Sequence, residues 1–195
     1  MVGSGRRLAR ALFLDRDGVL NRSIVINKKP FAPTFLTDFE FLPGVQEALV
    51  LTKQAGFKNI VVTNQPDLGA GKIDPEQFEL IQKRCFSELE LDDIKFCPHI
   101  QSDDCDCRKP LTGMLSQAAL EYHIDISESY MVGDRWRDIQ CGQMAGCRAN
   151  FFIDYGYDEK RPDPPFILVR NLSEAVQIIL EDIAFLTTKR KVWAD

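Results

Sequence analysis

Apolar and polar positions along this chain switch repeatedly between a strand-like and a helix-like period. Residues 8–14 form a short apolar run ending at Asp15-Arg16-Asp17-Gly18, which predicts a buried parallel strand with polar residues at its carboxyl end. No period is sustained from 20 to 41, and Pro30, Pro33 and Thr34 interrupt this stretch, so a long loop or small flap of about residues 18–41 is expected beside that strand end. Val45, Ala48, Leu49 and Ala55 then keep helical spacing up to Gly56, a helix stop. The β-branched run KNIVVT at 58–63 predicts a second strand that runs out into Asn64-Gln65-Pro66.

The second half repeats the alternation. Asp74 is placed to cap a helix, with Pro75 at its first position, Gln77 completing a capping box, and Phe78, Ile81, Cys85 and Leu89 along one face. A short strand at 94–97 follows, then a helix capped by Thr112 with Leu115, Ala118, Ala119 and Tyr122 on one side. Residues 130–132 predict a strand running into Gly133-Asp134, 136–145 a helix ended by Gly146, and 148–153 and 166–169 two more strands. Ser173 is the expected cap of a last helix reaching about 186. The pattern predicts an α/β fold with a central parallel sheet covered by helices on both faces, in which ligands bind beyond the carboxyl ends of the strands.

Composition narrows the function classes. A length of 195 residues fits one domain spanning 1–195. With 45% hydrophobic and 27% charged residues the chain lies outside the disordered class. Lys plus Arg total 24 against 29 Asp plus Glu, a net charge of −5, so no basic footprint exists for a nucleic-acid partner. After Arg6, Arg7 and Arg10 the apolar run covers only 11–14, too short for a signal segment or a membrane span, so a cytoplasmic protein, expected to be a monomer, is predicted. The basic tail at 187–195, with Lys189, Arg190 and Lys191, reads as a solvated end.

The chemically able residues fall at the predicted strand ends: Asp15 and Asp17 after the first, Thr63 and Asn64 after the second, Lys109 beyond the third, Asp134 after the fourth. Asp15 and Asp17, two apart, project to one side if the strand geometry persists. With Asp134 and Asp138 nearby, so many carboxylates repel one another unless a cation sits among them, and an oxygen-rich set suits Mg²⁺. Singly, an Asp-x-Asp is an ordinary turn and Lys109 a solvated lysine; the joint placement points to a phosphoryl group held by a metal, a lysine and a hydroxyl while a carboxylate attacks phosphorus.

Phe13-Leu14-Asp15-Arg16-Asp17-Gly18-Val19, Val61-Val62-Thr63-Asn64-Gln65, Arg108-Lys109-Pro110 and Met131-Val132-Gly133-Asp134 with Asp138 resemble, in order and context, the four motifs of the haloacid dehalogenase (HAD) superfamily of phosphatases. Within it the chain is similar to the branch containing D-glycero-D-manno-heptose-1,7-bisphosphate 7-phosphatase and the histidinol-phosphatase domain. The resemblance, over about residues 11–153, implies a HAD-like Rossmannoid three-layer sandwich with a minimal cap. It implies Asp15 as the nucleophile forming an aspartyl-phosphate and Asp17 as the acid and then the base. It implies that Asp15, Asp134 and the main-chain carbonyl of Asp17 hold Mg²⁺, with Asp138 behind them. Thr63 and Lys109 would bind the phosphoryl group, and Asn64, Arg108 and Arg135 would lie near a small phosphorylated substrate.

Cys97-Pro98-His99 and Cys105-Asp106-Cys107 place three thiols and an imidazole within eleven positions, a ligand set that suits a closed tetrahedral zinc site. A polar loop that merely carries these groups is the plainer reading, but Pro98, Ser102, Asp103 and Asp104 leave it little apolar core to bury them. The cluster is also a mark of the branch just named. Because Cys107 precedes Arg108 and Lys109, zinc in a loop of 97–109 would fix the phosphate-binding residues: a structural metal. Cys85, Cys141 and Cys147 read as buried thiols, His123 as a helix-end imidazolium and Trp136 as a packing residue.

Substrate choice stays open between two relatives. The short five-residue spacing of the thiol cluster resembles the histidinol-phosphatase domain, whereas the loop through Gly69, Gly71 and Lys72 and residues 111–134 look closer to the heptose enzymes. Lys28 and Lys29 on the flap are placed to meet a second phosphate, though such lysines are more often simply solvated. A sugar phosphate, heptose 1,7-bisphosphate, is favoured over histidinol phosphate; the rivals of other classes are an inactive zinc-stabilised binding module and a phosphotransferase, which needs a larger cap.

Overall fold

The computed structural model describes the backbone of residues 8–192 and the side chains of residues 8–186. Arg6 and Arg7, and the side chains of the basic tail, lie outside the described residues. The elements run β1 (Arg10–Leu14), β2 (Ile24–Ile26), β3 (Lys29–Phe31), α1 (Val45–Gln54), β4 (Phe57–Asn64), α2 (Pro66–Gly69), α3 (Pro75–Glu88), β5 (Asp93–Cys97), α4 (Gly113–Tyr122), β6 (Tyr130–Gly133), α5 (Trp136–Ala145), β7 (Ala149–Ile153), β8 (Ile167–Val169) and α6 (Leu172–Val192).

Six strands form one parallel sheet in the order β5-β4-β1-β6-β7-β8. The chain winds outward from β1 through β4 to β5, then returns to β1's other side with β6, so the order reverses at β1 and opens a crevice at its carboxyl end. Strand alternation divides the core. Leu12, Leu14, Val61 and Val132 face α1, α3 and α6 through Leu49, Ile81 and Ile179, while Ala11, Phe13, Ile60 and Met131 face α4 and α5 through Leu115, Ala118 and Cys141. The three-layer α/β sandwich expected from the sequence is therefore present.

The flap has structure of its own, and four capping expectations are corrected. Within the stretch expected as a long loop or small flap, β2 and β3 form an antiparallel hairpin, Ile24 opposite Phe31, joined by Asn27 and Lys28 at φ +50° and +60°. Asp74 does cap α3 by accepting the Glu76 N–H, but Gln77 makes no capping box; its Oε1 accepts the Leu36 N–H and ties the flap to α3. Thr112 makes no side-chain cap on α4. At α6 it is Asn171 that accepts the Glu174 N–H, while the Ser173 hydroxyl donates to the Gly44 carbonyl. At these three helix N-termini a partner distant in sequence competes for the polar side chain, or the local backbone does not present it. His123 ends α4 through its backbone at φ +53°, with its N–H on the Ala119 carbonyl, not through an imidazolium. Among the described residues no helix is long and apolar enough to cross a membrane.

Candidate active site

A cleft of about 440 Å³ opens at the carboxyl ends of β1, β4 and β6. Asp15, Asp17, Thr63, Asn64, Arg108, Lys109, Asp134, Arg135 and Asp138 all line it. Asp15 follows β1, held by its N–H on the Val132 carbonyl, and Asp134 follows β6 beside it. Carboxylate oxygens of Asp15, Asp134 and Asp138 lie within 4.8 Å of one another, all buried. Gly18 turns at φ +91° against Asp134; a Cβ there would lie 1.9 Å from Asp134 Oδ2, so only glycine lets the backbone come so close.

Lys109 is 2% exposed and its ammonium sits 2.9 Å from Asp15 Oδ1 and 2.6 Å from Asp138 Oδ1. Burial alone would lower its affinity for a proton, but Asp138 and Asp15 outweigh burial and keep it charged. One lysine does not balance the group. Burial pushes Asp15 up to about 6 against the pull of Lys109, and burial with repulsion from Asp15 and Asp138 holds Asp134 well above the usual carboxylate range. Asp134 Oδ1 is buried without a hydrogen-bond partner. Hard oxygen donors, surplus negative charge and an orphaned oxygen fit a divalent cation such as Mg²⁺.

Surrounding residues set the roles that remain. Both oxygens of Asp138 are engaged, Oδ1 by Lys109 and Oδ2 by the Arg135 N–H at 2.9 Å, so it braces the lysine. Asp17 accepts from Asn21 Nδ2 at 2.9 Å, Gln65 Nε2 at 2.7 Å and the fully buried Arg16 at 3.0 Å. Thr63 Oγ1 is fixed by Gln65 at 3.0 Å. The Asn64 amide takes the Lys109 N–H and donates to the Lys109 carbonyl, positioning that loop. Arg135 is neutralised by Glu159 through Nε and Nη2.

Cys97, His99, Cys105 and Cys107 come together beside this cleft, with ligand atoms within 4.8 Å. His99 Nδ1 is 3.5 Å from Cys97 Sγ and 3.3 Å from Cys107 Sγ, and the Cys97 and Cys105 sulfurs are 3.9 Å apart. Ligands of one tetrahedral zinc, at about 2.3 Å for sulfur and about 2.0 Å for nitrogen, sit about 3.5–3.8 Å from each other, so the spacing fits that ion. Arg108 leads back to the cluster through its bond to the His99 carbonyl at 2.9 Å. Cys85 and Cys141 are buried in the core and Cys147 is half-buried.

Sequence reasoning missed Arg16, Gln65, Arg137, Tyr157 and Glu159. Tyr157 donates to Asp134 Oδ2 at 2.9 Å from the segment after β7, and Trp136, instead of packing under the cleft, lies beneath the Lys160 ammonium at 3.7 Å. Only Arg16, between two motif aspartates, carried a signal: an arginine inside a buried turn needs a carboxylate.

The family model described as HAD-hydrolase-like matches residues 106–175. The D-glycero-alpha-D-manno-heptose-1,7-bisphosphate 7-phosphatase of Photorhabdus laumondii is 32% identical over 182 residues, covering 87% of this chain and 96% of its own. The corresponding beta-heptose enzyme of Helicobacter pylori J99 is 34% identical over 178 residues, covering 87% and 97%. Among solved structures, the D,D-heptose 1,7-bisphosphate phosphatase of B. bronchiseptica, complexed with magnesium and phosphate, superposes with a TM-score of 0.71 at 28% identity over 89% of this chain and 99% of that one.

Proposed function

The chain belongs to the HAD-like phosphatases that include the heptose-1,7-bisphosphate 7-phosphatases, and from that premise we propose that it hydrolyses a sugar bisphosphate, D-glycero-D-manno-heptose 1,7-bisphosphate, at its 7-phosphate. One observation carries the reading: the motif residues of four separate segments line a single cleft. Asp15 attacks phosphorus, forming an aspartyl-phosphate as the bond to the sugar oxygen breaks. Thr63 and Lys109 hold the phosphoryl oxygens. Asp17, oriented by Arg16, Asn21 and Gln65, gives its proton to the leaving oxygen and then takes one from the water that cleaves the intermediate. Asp15, Asp134 and the Asp17 carbonyl would hold Mg²⁺, which supplies positive charge that favours ionised Asp15 and offsets charge on the phosphoryl group. Cys97, His99, Cys105 and Cys107 would hold zinc that orders the loop carrying Arg108 and Lys109.

The cleft wall supports the bisphosphate over histidinol phosphate. Lys29 of the hairpin and Arg137 of α5 line it and pair with no carboxylate among the described residues. Arg137 also sits in the first turn of α5, where a cation is disfavoured, near Arg135 and Arg108. A second anionic group relieves that repulsion, whereas the ammonium end of histidinol phosphate adds to it. Phosphate release with Mg²⁺ from the two esters tests this: kcat/KM is expected to favour the heptose, and a preference for histidinol phosphate overturns the choice.

A further inference from the structure

The two oxygens of Asp134 occupy different surroundings. Oδ2 accepts the Tyr157 hydroxyl at 2.9 Å and lies against Gly18, whereas Oδ1 is buried with no hydrogen-bond partner. A buried carboxylate oxygen left unpaired is costly, so the arrangement calls for a donor or a cation on the Oδ1 side. Tyr157 does not arrive there loosely. Its segment is pinned to the flap turn, with the Asp158 N–H on the Lys28 carbonyl at 2.8 Å and the Tyr155 hydroxyl on the Gly18 carbonyl at 3.1 Å. The Tyr155 and Tyr157 rings also meet, 5.6 Å between centroids, and Glu159 is clamped by Arg135.

We propose that Tyr157 is a positioning residue for the metal site: its hydroxyl holds Asp134 Oδ2 and thereby assigns Oδ1 as the oxygen that faces the cation. This rests on reading Asp134 as a metal ligand. A hydrogen bond to the outer oxygen fixes the carboxylate plane, so the cation meets a ligand already turned toward it. Without the hydroxyl, Asp134 can rotate about its side-chain bonds and must be ordered when the metal arrives.

The test uses the full-length, zinc-loaded protein and Mn²⁺ as the probe, titrated by electron paramagnetic resonance without substrate. Tyr157→Phe keeps the ring and removes the hydroxyl; its Mn²⁺ dissociation constant is expected to rise about 10-fold, with kcat largely recovered at saturating metal. Tyr155→Phe, which removes a flap contact but none to Asp134, is expected to bind Mn²⁺ as the unmodified protein does. Wild-type affinity in Tyr157→Phe, with or without a lower melting temperature, overturns the proposal. Asp134→Asn separates the two levels: if it abolishes Mn²⁺ binding while Tyr157→Phe leaves it unchanged, only the positioning role fails. If Asp134→Asn also leaves binding unchanged, the metal-ligand reading fails with it.

Discussion

The thiolate and imidazole cluster draws all its groups from one loop, Cys97 to Cys107, whereas the carboxylate centre gathers Asp15, Lys109, Asp134 and Asp138 from segments far apart in sequence. The first is anchored by Cys97 in the core and by Cys105 and Cys107 at its edge, but the turn between them, residues 100–104, is exposed; the second is buried at the ends of two adjacent core strands, Leu14 beside Val132. What each lacks is therefore different. The loop lacks burial along its exposed turn, and a zinc ion would hold it by tying four ligands together. The carboxylate centre has order already and lacks positive charge. Removing zinc should unfold something local, and removing Mg²⁺ should leave the fold standing.

The largest effect expected is at the ordered centre. Asp15→Asn removes the proposed nucleophile and one of the repelling carboxylates, so phosphate release should fall at least about 10³-fold while the metal-free protein melts no lower than the unmodified one. Steady-state turnover and thermal melts measure both halves. Retained turnover removes Asp15 from its role, and a collapse in melting temperature breaks the contrast between a centre short of charge and one short of burial.

Next comes the loop. Cys107→Ser, with zinc content measured by mass spectrometry, should lower activity about 10–100-fold, because Arg108 and Lys109 follow directly on this proposed zinc ligand. Amide exchange should quicken over residues 97–113 and stay unchanged in β1 and β6. Full activity in a zinc-free protein overturns the claim that the ion orders the phosphate-binding lysine.

A smaller effect separates the two by pH. Since burial holds Asp15 at about 6 in the folded metal-free protein, above its unfolded value, the native state binds more protons across the interval from about pH 4 to pH 6. Stability of the metal-free protein should therefore decline as pH rises through that window, by on the order of 1–3 kcal/mol. Mg²⁺ should raise the melting temperature more at pH 7.5 than at pH 5. An Mg²⁺ shift independent of pH denies the charge account.

How much of this was readable before folding follows from the same contrast. The thiol cluster is local, so spacing alone exposed it; Asp15 and Asp134 were legible because each directly follows an apolar strand. Helix α5 matched its expected span, with Gly146 at φ +83° as its stop. The β2 and β3 hairpin was hidden because each strand has three residues, Pro30 sits in one, and its turn uses Asn27-Lys28 instead of the usual Asn-Gly. Gln65 and Tyr157 were hidden for another reason: their partners Asp17 and Asp134 lie 48 and 23 positions away, and neither residue type announces such a bond.

Asp92 offers the sharpest control, with the smallest expected effect, because it inverts the charge ratio of the active centre. Here one carboxylate receives two ammonium groups, Lys53 at 2.8 Å and Lys58 at 2.7 Å, together with the Asn59 N–H at 2.9 Å. Burial would push Asp92 up, but these hydrogen bonds outweigh it and hold it below the usual carboxylate range. A lowered folded value means the stabilisation is present above the unfolded value near pH 4 and is lost as pH falls through the folded one. Asp92→Asn should therefore cost about 1–2 kcal/mol at pH 7, discounted because both lysines are partly exposed, and the deficit should shrink in denaturant melts at pH 3. Mg²⁺ should leave that deficit untouched, since the Asp92 cluster carries its own positive charge in Lys53 and Lys58. A deficit that changes with Mg²⁺ would couple the Asp92 cluster to the active centre and remove the reason for treating charge balance as a local property of each cluster.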